Sequence, residues 1–148
     1  MSDQNKVRII GGNWRGSKLR FADVQGLRPT GDRLRETLFN WLSPHLYGAH
    51  CLDLFAGSGC LSIEALSRGA KRAIAIDANA TVCATLKRES ERLTVDNLTV
   101  IKADAITWLA RAAEQHDSSD KEPPFDIVFV DPPFAALLHE ACIDALQQ

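Results

Sequence analysis

Nine consecutive residues decide the fold of this chain: Cys51-Leu52-Asp53-Leu54-Phe55-Ala56-Gly57-Ser58-Gly59. The first five are typical of a buried strand, and the last four form a glycine-rich turn. A helix that is predicted to end near Gly69 follows the turn. Glycines let a backbone approach a ligand closely, and a helix N-terminus offers N–H groups without partners. The stretch therefore predicts the first strand, turn and helix of a ligand-binding α/β fold.

The same succession of strand, turn and helix recurs through the rest of the chain. Further strands are predicted over residues 72–77, 98–102 and 125–131. Helices are predicted over residues 79–92 and 106–113 and from about residue 135 to the chain end, with a polar, proline-bearing loop over 115–124. Alternating elements with continuously apolar strands indicate an α/β fold with a doubly wound, mainly parallel sheet.

A different pattern precedes residue 46. Residues 7–21 predict a β-hairpin, residues 26–31 a loop, and residues 32–42 a helix that Ser43 and Pro44 end. We divide the chain accordingly into an N-terminal extension of hairpin and helix, residues 1–45, and an α/β core, residues 46–148.

The composition is that of an ordinary globular protein. The 148 residues suit one domain, and 45% of them are hydrophobic and 24% charged. No apolar run approaches the ~18 residues that span a bilayer, and the first residues lack the apolar segment of a signal peptide. We therefore expect a cytoplasmic protein that does not bind a membrane.

The four cysteines do not have the spacing of a zinc site or a disulfide framework. Cys51, Cys60, Cys83 and Cys142 include no Cys-x-x-Cys pair and have no histidine at ligand spacing. Cysteine within a buried strand or helix behaves as a small hydrophobic residue. We expect core thiols and no bound metal.

The net charge of −2 hides an uneven distribution. Residues 1–50 carry eight Lys or Arg against four Asp or Glu, whereas residues 51–148 carry nine against fifteen. Such asymmetry fits a basic face that contacts nucleic acid, and it fits equally a hairpin whose charges are merely solvated.

Three acids are predicted at the ends of successive strands, where ligands bind in open α/β sheets. Asp53 precedes the glycine-rich turn, and an acid there disfavours a pyrophosphate but attracts the cationic amino-acid part of S-adenosylmethionine. Asp77 follows the second strand and is placed to accept hydrogen bonds from ribose hydroxyls. Asp104 follows the third strand, where it either accepts from an adenine amino group or caps the next helix.

The fourth strand ends in Asp131-Pro132-Pro133-Phe134, the most specific motif of the chain. An exocyclic amine on a base is a poor nucleophile because its lone pair is delocalised into the ring, and acceptors that hold its N–H groups raise its reactivity. Asp131 supplies a carboxylate, and the prolines supply carbonyl acceptors without competing N–H donors. Phe134 can stack on a base that has left its helix. The motif therefore indicates methylation of a base amino group.

These motifs and the N-terminal residues resemble the small-subunit ribosomal RNA methyltransferase D family over essentially the whole chain. The segments that carry the resemblance are 8–12, 14–16, 28–30, 32–33, 35–42, 55–59, 64–65, 67–68 and 131–134. The resemblance implies a Rossmann-like class I methyltransferase fold. It further implies transfer of a methyl group from S-adenosylmethionine to the 2-amino group of a guanine in 16S ribosomal RNA.

The resemblance also assigns roles to matching positions. S-adenosylmethionine is assigned to Asp53, Phe55, Gly57, Ser58, Gly59, Asp77, Ala78, Asp104 and Ala105. Catalysis on the guanine is assigned to Asp131, Pro132, Pro133 and Phe134. RNA contacts are assigned to Arg15, Lys18, Arg20, Arg28, Arg33 and Arg35, with a structural salt bridge as the alternative for Arg35. The expected partner is ribosomal RNA or the small ribosomal subunit, bound by a monomer.

The chain departs from the family pattern at two places. Segment 76–79 carries Asp77 where the family usually has a Glu followed by an Asp, and Asp is the shorter acid. The sequence also stops at Gln148, whereas the family continues with a strand, a helix and a closing hairpin. We therefore expect a C-terminally incomplete sheet of four predicted strands, with an exposed strand edge and a pocket that lacks its outer wall.

Three other functions remain open. A DNA adenine-N6 methyltransferase also suits Asp-Pro-Pro followed by an aromatic residue, although no segment has room for a target-recognition region. A non-catalytic fragment would bind S-adenosylmethionine or RNA and transfer no methyl group. A nicotinamide-dependent enzyme is disfavoured because Ser62 replaces the third glycine of its fingerprint and no Tyr-x-x-x-Lys pair is present.

Overall fold

The computed structural model describes residues 5–24, 27–114, 125–132 and 146. Its elements in chain order are strands β1 (Lys6–Arg8) and β2 (Lys18–Arg20), helix α1 (Asp32–Leu46), strand β3 (His50–Asp53), helix α2 (Cys60–Ser67), strand β4 (Arg72–Asp77), helix α3 (Ala80–Arg92), strand β5 (Leu98–Lys102), helix α4 (Ala105–Glu114) and strand β6 (Ile127–Phe129). The loop predicted over 115–124 and the helix predicted from residue 135 lie outside the described residues, apart from residue 146.

A parallel sheet with the strand order β5-β4-β3-β6 forms the centre of the molecule. Leu52 of β3 lies opposite Ile74 of β4 on one side and opposite Val128 of β6 on the other. The chain therefore builds outward from β3 to β5 and then returns to the other side of β3. This order is that of a Rossmann-like sheet, so the predicted fold class is confirmed.

Strand side chains alternate between two hydrophobic clusters, one on each face of the sheet. Cys51, Ala73, Ala75, Ile127 and Phe129 pack on the face covered by the hairpin and by α1, α2 and α3. Leu52, Leu54 and Ile76 pack on the other face with Ala105 and Leu109 of α4. Because successive strand residues point to opposite faces, covering both faces requires the continuously apolar strands seen in the sequence.

The described cysteines belong to this interior. Cys51, Cys60 and Cys83 are buried free thiols, as predicted for core residues. Burial raises the pKa of Cys51 to about 11, which keeps its thiol protonated. Cys142 lies outside the described residues.

The predicted hairpin is confirmed and packs against α2 and α3. Val7 of β1 lies opposite Leu19 of β2, and both are buried. Gly12 has a φ of +78°, and a Cβ there would lie 1.9 Å from the carbonyl oxygen of Ser67, so the close approach to α2 requires glycine. The indole N–H of Trp14 donates to the carbonyl of Leu93 at 2.9 Å, just after α3. The N-terminal extension thus shares its core with the sheet.

The predicted bounds of three elements, α1, β3 and β6, were wrong. Helix α1 does not end at Ser43 and Pro44 but continues through Pro44 to Leu46. Proline removes one helical hydrogen bond, but Leu46 is buried in the core, and its burial holds the last turn. Strands β3 and β6 are shorter than predicted because residues after Asp53 and Phe129 leave the sheet to form loops.

A buried carboxylate, Glu64 of α2, joins the N-terminal extension to the core. Its Oε1 accepts from the backbone N–H of Ile10 at 2.8 Å, and its Oε2 accepts from the backbone N–H of Gly11 at 2.9 Å. Its Oε2 also accepts from Arg68 Nε at 2.9 Å. Arg35 Nη1 lies 3.3 Å from Oε1, and both side chains are 0% exposed. The negative charge is therefore compensated by the fully buried Arg35 and by Arg68, whose side chain is 17% exposed.

Arg35 completes this buried network and is not a surface residue. Its Nε donates to the Thr30 carbonyl at 2.9 Å, its Nη1 to the Arg8 carbonyl at 2.8 Å, and its Nη2 to the Asp32 carboxylate. This burial corrects the expectation that Arg35 contacts RNA, because its guanidinium is used by groups of the chain itself. The structural alternative, a salt bridge, is what the structure shows.

None of the helices in the described part of the chain combines the length and apolar character that a membrane span requires.

We predict that Glu64→Leu lowers the free energy of unfolding by about 3 kcal/mol, because it removes one of the two carboxylates paired with the buried Arg35 and leaves the backbone N–H groups of Ile10 and Gly11 without their acceptor. The matched control is Glu36→Leu on the exposed part of α1, which should change stability by no more than about 0.5 kcal/mol. Urea unfolding measures both. Equal losses in the two variants would show that the buried pair does not hold the fold.

Candidate active site

The candidate site lies at the carboxyl ends of the strands, where the sheet changes direction. Because β4 and β6 flank β3, the switch point of this sheet is between β3 and β6. Ligands of open α/β sheets bind in the crevice at that point. The glycine-rich turn follows β3 and the Asp131–Pro132 segment follows β6, so both sequence motifs reach the expected place.

The glycine-rich turn allows the N-terminal extension to approach the start of α2 closely. Gly57 has a φ of +54°, which favours glycine, and a Cβ there would lie 2.8 Å from Cδ1 of Leu27. Gly59, which precedes α2, has no side chain to cap the helix, and the N–H of Cys60 donates to the hydroxyl of Ser58 at 3.3 Å. Leu27 from the N-terminal extension packs beside the turn.

Asp77 lies at the end of β4 and faces the same turn. Its Oδ2 accepts from the backbone N–H of Gly57 at 3.1 Å, and its Oδ1 accepts from the backbone N–H of Asn79 at 2.9 Å. A carboxylate offers about four lone-pair sites, so each oxygen keeps capacity for another donor. The two backbone bonds hold the carboxylate in a defined orientation toward the crevice.

Asp53 is the buried acid beneath the turn. Its Oδ2 accepts from the hydroxyl of Ser62 at 2.9 Å, whereas its Oδ1 has no hydrogen-bond partner among the described residues. Burial, and to a smaller extent the carboxylates of Asp131 and Asp77, raise the pKa of Asp53 to about 7 against the lowering effect of the Ser62 hydroxyl. An unpartnered buried oxygen of this kind is suited to a cationic or N–H donor.

Asp104 takes the capping role that the sequence left as one of two alternatives. Its Oδ2 accepts from both the backbone N–H and the hydroxyl of Thr107 at 3.0 Å. It is exposed at the start of α4, beside the buried Ala105. Contact between Asp104 and an adenine amino group stays a prediction.

The catalytic motif is described in part. Asp131 is exposed, and its Oδ2 accepts from the hydroxyl of Thr30 at 3.1 Å. Pro132 is buried, and Pro133 and Phe134 lie outside the described residues. Because Arg35 holds the Thr30 carbonyl, the buried network of the N-terminal extension reaches Asp131 through a single residue.

The predicted RNA contacts divide by exposure. Arg15, Lys18, Arg20, Arg28 and Arg33 are all exposed. Arg35, as described above, is not. Their placement leaves the first five available to a partner.

Sequence reasoning missed Thr30 and Ser62, the two hydroxyls that hold the candidate acids. Thr30 belongs to segment 28–30, which resembles the family but gave no indication of a role for the threonine hydroxyl. Ser62 was noted only as a departure from a dinucleotide fingerprint. Its bond to Asp53 spans nine residues, from a strand across a turn into a helix, and no local sequence pattern pairs the two side chains.

We predict that the wild-type free energy of unfolding falls as pH rises between about 5 and 7.5, relative to Asp53→Asn. A carboxyl whose pKa is raised by folding favours the folded state while protonated, and that contribution is lost as pH rises through the folded pKa near 7. The difference should change by at most about 1.4 kcal/mol per pH unit. The exposed Asp96→Asn should follow wild type, and parallel profiles for wild type and Asp53→Asn would contradict the assignment.

Comparison with known proteins gives the same family for the whole chain. A family model described as Conserved hypothetical protein 95 matches residues 7–148. The chain is 47% identical over 146 residues to ribosomal RNA small subunit methyltransferase D of Escherichia coli strain K12, covering 99% of this chain and 69% of that protein. It is 44% identical over 145 residues to the protein of the same name from Haemophilus influenzae, covering 97% of this chain and 72% of that protein.

A solved structure agrees with these sequence relatives. The Escherichia coli protein yhhF superposes with a TM-score of 0.79 and 46% identity, over 95% of this chain and 73% of that one. The glycine-rich turn, the strand-end acids and the Asp131–Pro132 segment therefore stand within a class I methyltransferase fold. The chain belongs to the ribosomal RNA small subunit methyltransferase D family.

Proposed function

We propose that this chain transfers a methyl group from S-adenosylmethionine to the 2-amino group of a guanine in small-subunit ribosomal RNA. One observation carries the proposal: two loops with complementary chemistry leave neighbouring strands side by side. The backbone N–H of Leu54 donates to the carbonyl of Phe129 at 3.2 Å. This hydrogen bond joins the ends of β3 and β6 just before the two loops begin. One loop suits a cofactor and the other suits an amine, and group transfer needs the two adjacent.

The residues of the first loop fit the chemistry of S-adenosylmethionine. The unpartnered Oδ1 of Asp53 suits a cationic ligand, and Asp77 keeps lone pairs for ribose hydroxyls. Gly57 has a positive φ, +54°, which gives the turn its shape, and it lets Leu27 lie close beside the turn. We assign the cofactor to Asp53, Asp77 and Gly57 and to their neighbours Phe55, Ser58, Gly59, Ala78, Asp104 and Ala105. When bound, S-adenosylmethionine supplies a methyl group on a positively charged sulfur.

The residues of the second loop hold the target amine. Thr30 uses one lone pair of Asp131, and the remaining ones can accept from an N–H of the amine. Pro132 has no N–H, so its carbonyl accepts without a competing donor beside it. Accepting both N–H groups orients the nitrogen lone pair toward the incoming methyl group. Pro133 and Phe134 complete this loop in the proposal, with Phe134 stacking on the base.

The substrate is proposed from the relatives and from the basic surface. The Escherichia coli and Haemophilus influenzae proteins are named as methyltransferases of small-subunit ribosomal RNA. We propose that the N-terminal extension, residues 1–45, faces RNA through its exposed cations. The chain then acts as a monomer on ribosomal RNA or the small subunit in the cytoplasm. The exposed cations in question are Arg15, Lys18, Arg20, Arg28 and Arg33.

The test is methyl transfer from labelled S-adenosylmethionine to unmodified small-subunit RNA and to assembled particles, followed by nucleoside analysis. Label should appear in N2-methylguanosine. Asp131→Asn should lower the rate by about a hundredfold, as loss of one oriented polar group does in other active sites. Asp96→Asn, at the other edge of the sheet, should match wild type. Label in N6-methyladenine of DNA, or in no substrate, would contradict the proposal.

We predict that Gly57→Ala weakens S-adenosylmethionine binding, whereas Gly48→Ala leaves the binding unchanged. Both glycines have positive φ, +54° and +74°, so alanine adds a similar backbone strain of about 1–2 kcal/mol at each. Nothing lies within 4 Å of a Cβ on Gly48, whereas a Cβ on Gly57 meets Leu27 in the crevice. Calorimetry measures the binding, and wild-type affinity in Gly57→Ala would place the cofactor elsewhere.

A further inference from the structure

The hairpin presents four cations on one face. Strand residues alternate, so Val7 and Leu19 face the core while their neighbours face outward. In the antiparallel register Lys6 lies opposite Arg20, and Arg8 lies opposite Lys18. Both outward-facing pairs of the hairpin therefore join like charges.

Stability does not account for this arrangement. Like charges directly opposite each other on two strands destabilise a sheet. Arg8 has an exposed contact with Asp32 at 3.4 Å, but the side chains of Lys18 and Arg20 make no hydrogen bond or ion pair within the described residues. An anion placed across the face would relieve the repulsion, which points to an anionic partner.

A groove of about 650 Å³ continues the cationic face toward α3. The hairpin side of the groove includes Lys6, Arg20 and Phe21. The helix side is a stripe at helical spacing: Thr81, Thr85, Arg88 and Arg92. Two acids, Asp23 and Glu89, also line the groove against its four cations, and the carboxylate of Glu89 is paired with Arg92 at 2.6 Å. The lining therefore keeps a net positive charge.

A second hollow, of about 360 Å³, connects the same face to the candidate active site. It is lined by Lys6, Arg8 and Lys18 on the hairpin and by residues 29–32. Thr30 is among these, and its hydroxyl is bonded to Asp131. Lys6 lines both cavities, so the positive surface runs from Thr30 across the hairpin to α3.

We propose that this surface, the cationic track, binds the phosphates of the single-stranded RNA that flanks the target nucleotide. The track consists of Lys6, Arg8, Lys18, Arg20, Arg88 and Arg92. The choice of RNA rests on the proposed function, and the track adds α3 and strand β1 to the RNA surface inferred from the sequence. A single strand fits because the target base must leave its helix, and a cationic groove can follow the backbone of unstacked nucleotides.

The test measures binding of an unstructured twelve-nucleotide RNA between 50 and 300 mM salt. Each phosphate contact contributes about 0.7 to the slope of log affinity against log salt for single strands. Lys18→Gln and Arg88→Gln should each reduce the slope by about 0.7 and weaken binding about fivefold at 0.1 M salt. Arg111→Gln, an exposed cation on α4 at the opposite face of the sheet, should change neither quantity.

A second readout separates binding from stability. Because Lys18 lies opposite Arg8, Lys18→Gln should leave the thermal midpoint of the free protein unchanged or raised while RNA affinity falls. Wild-type affinity and slope in both track variants would overturn the proposal. The proposal would also be overturned if the track variants bound the oligonucleotide as wild type does but no longer bound assembled particles, because that result indicates a protein partner.

The proposed cationic track and the proposed methylation of guanine can be contradicted independently of each other. If wild type transfers no label to guanine but the track variants still lose RNA affinity and slope, the track stands and the guanine assignment falls. If wild type methylates guanine and the track variants bind and react as wild type does, the track falls and the assignment stands.

Discussion

The buried pair of Glu64 and Arg35 is the constraint on which the other features depend. A carboxylate and a guanidinium that are both fully buried are tolerated only when nearly every polar atom is satisfied. The partners that satisfy them come from the hairpin, the segment before α1, and α2. The requirement to satisfy two buried charges thus fixes the N-terminal extension on the core more specifically than apolar packing alone would.

This docking gives the candidate site part of its wall. The sheet edge supplies the acids Asp53, Asp77 and Asp131, but residues from the N-terminal extension lie against the two loops: Leu27 beside Gly57 and Thr30 on Asp131. The same extension turns its cations outward beside Thr30. A single buried network therefore positions both the polar residues proposed to meet a base and the charges proposed to meet its phosphates.

The regular parts of the fold could be predicted from the sequence because their signals are local. Alternating apolar strands and glycine turns predicted β4 and β5 at their observed bounds, and the hairpin and strand-end acids were predicted correctly. The end of α1 was wrongly predicted at Pro44 because the burial of Leu46, a tertiary effect, outweighs the local helix-breaking tendency of proline. Arg35 was wrongly predicted to contact RNA because no local sequence pattern distinguishes a buried arginine from the exposed cations near it. Thr30 and Ser62 were missed because a hydroxyl bond to a distant carboxylate has no local signature.

A crystal structure of the chain with S-adenosylhomocysteine, the product that the proposed reaction leaves behind, tests the proposed cofactor site most directly. We expect the ribose on Asp77, the amino-acid part at the turn of Gly57 to Gly59, and the sulfur toward Asp131. The groove between the hairpin and α3 is larger than the hollow beside Thr30, at about 650 Å³ against 360 Å³. Density for the ligand in that groove, with the crevice between β3 and β6 empty, would contradict the proposed cofactor site.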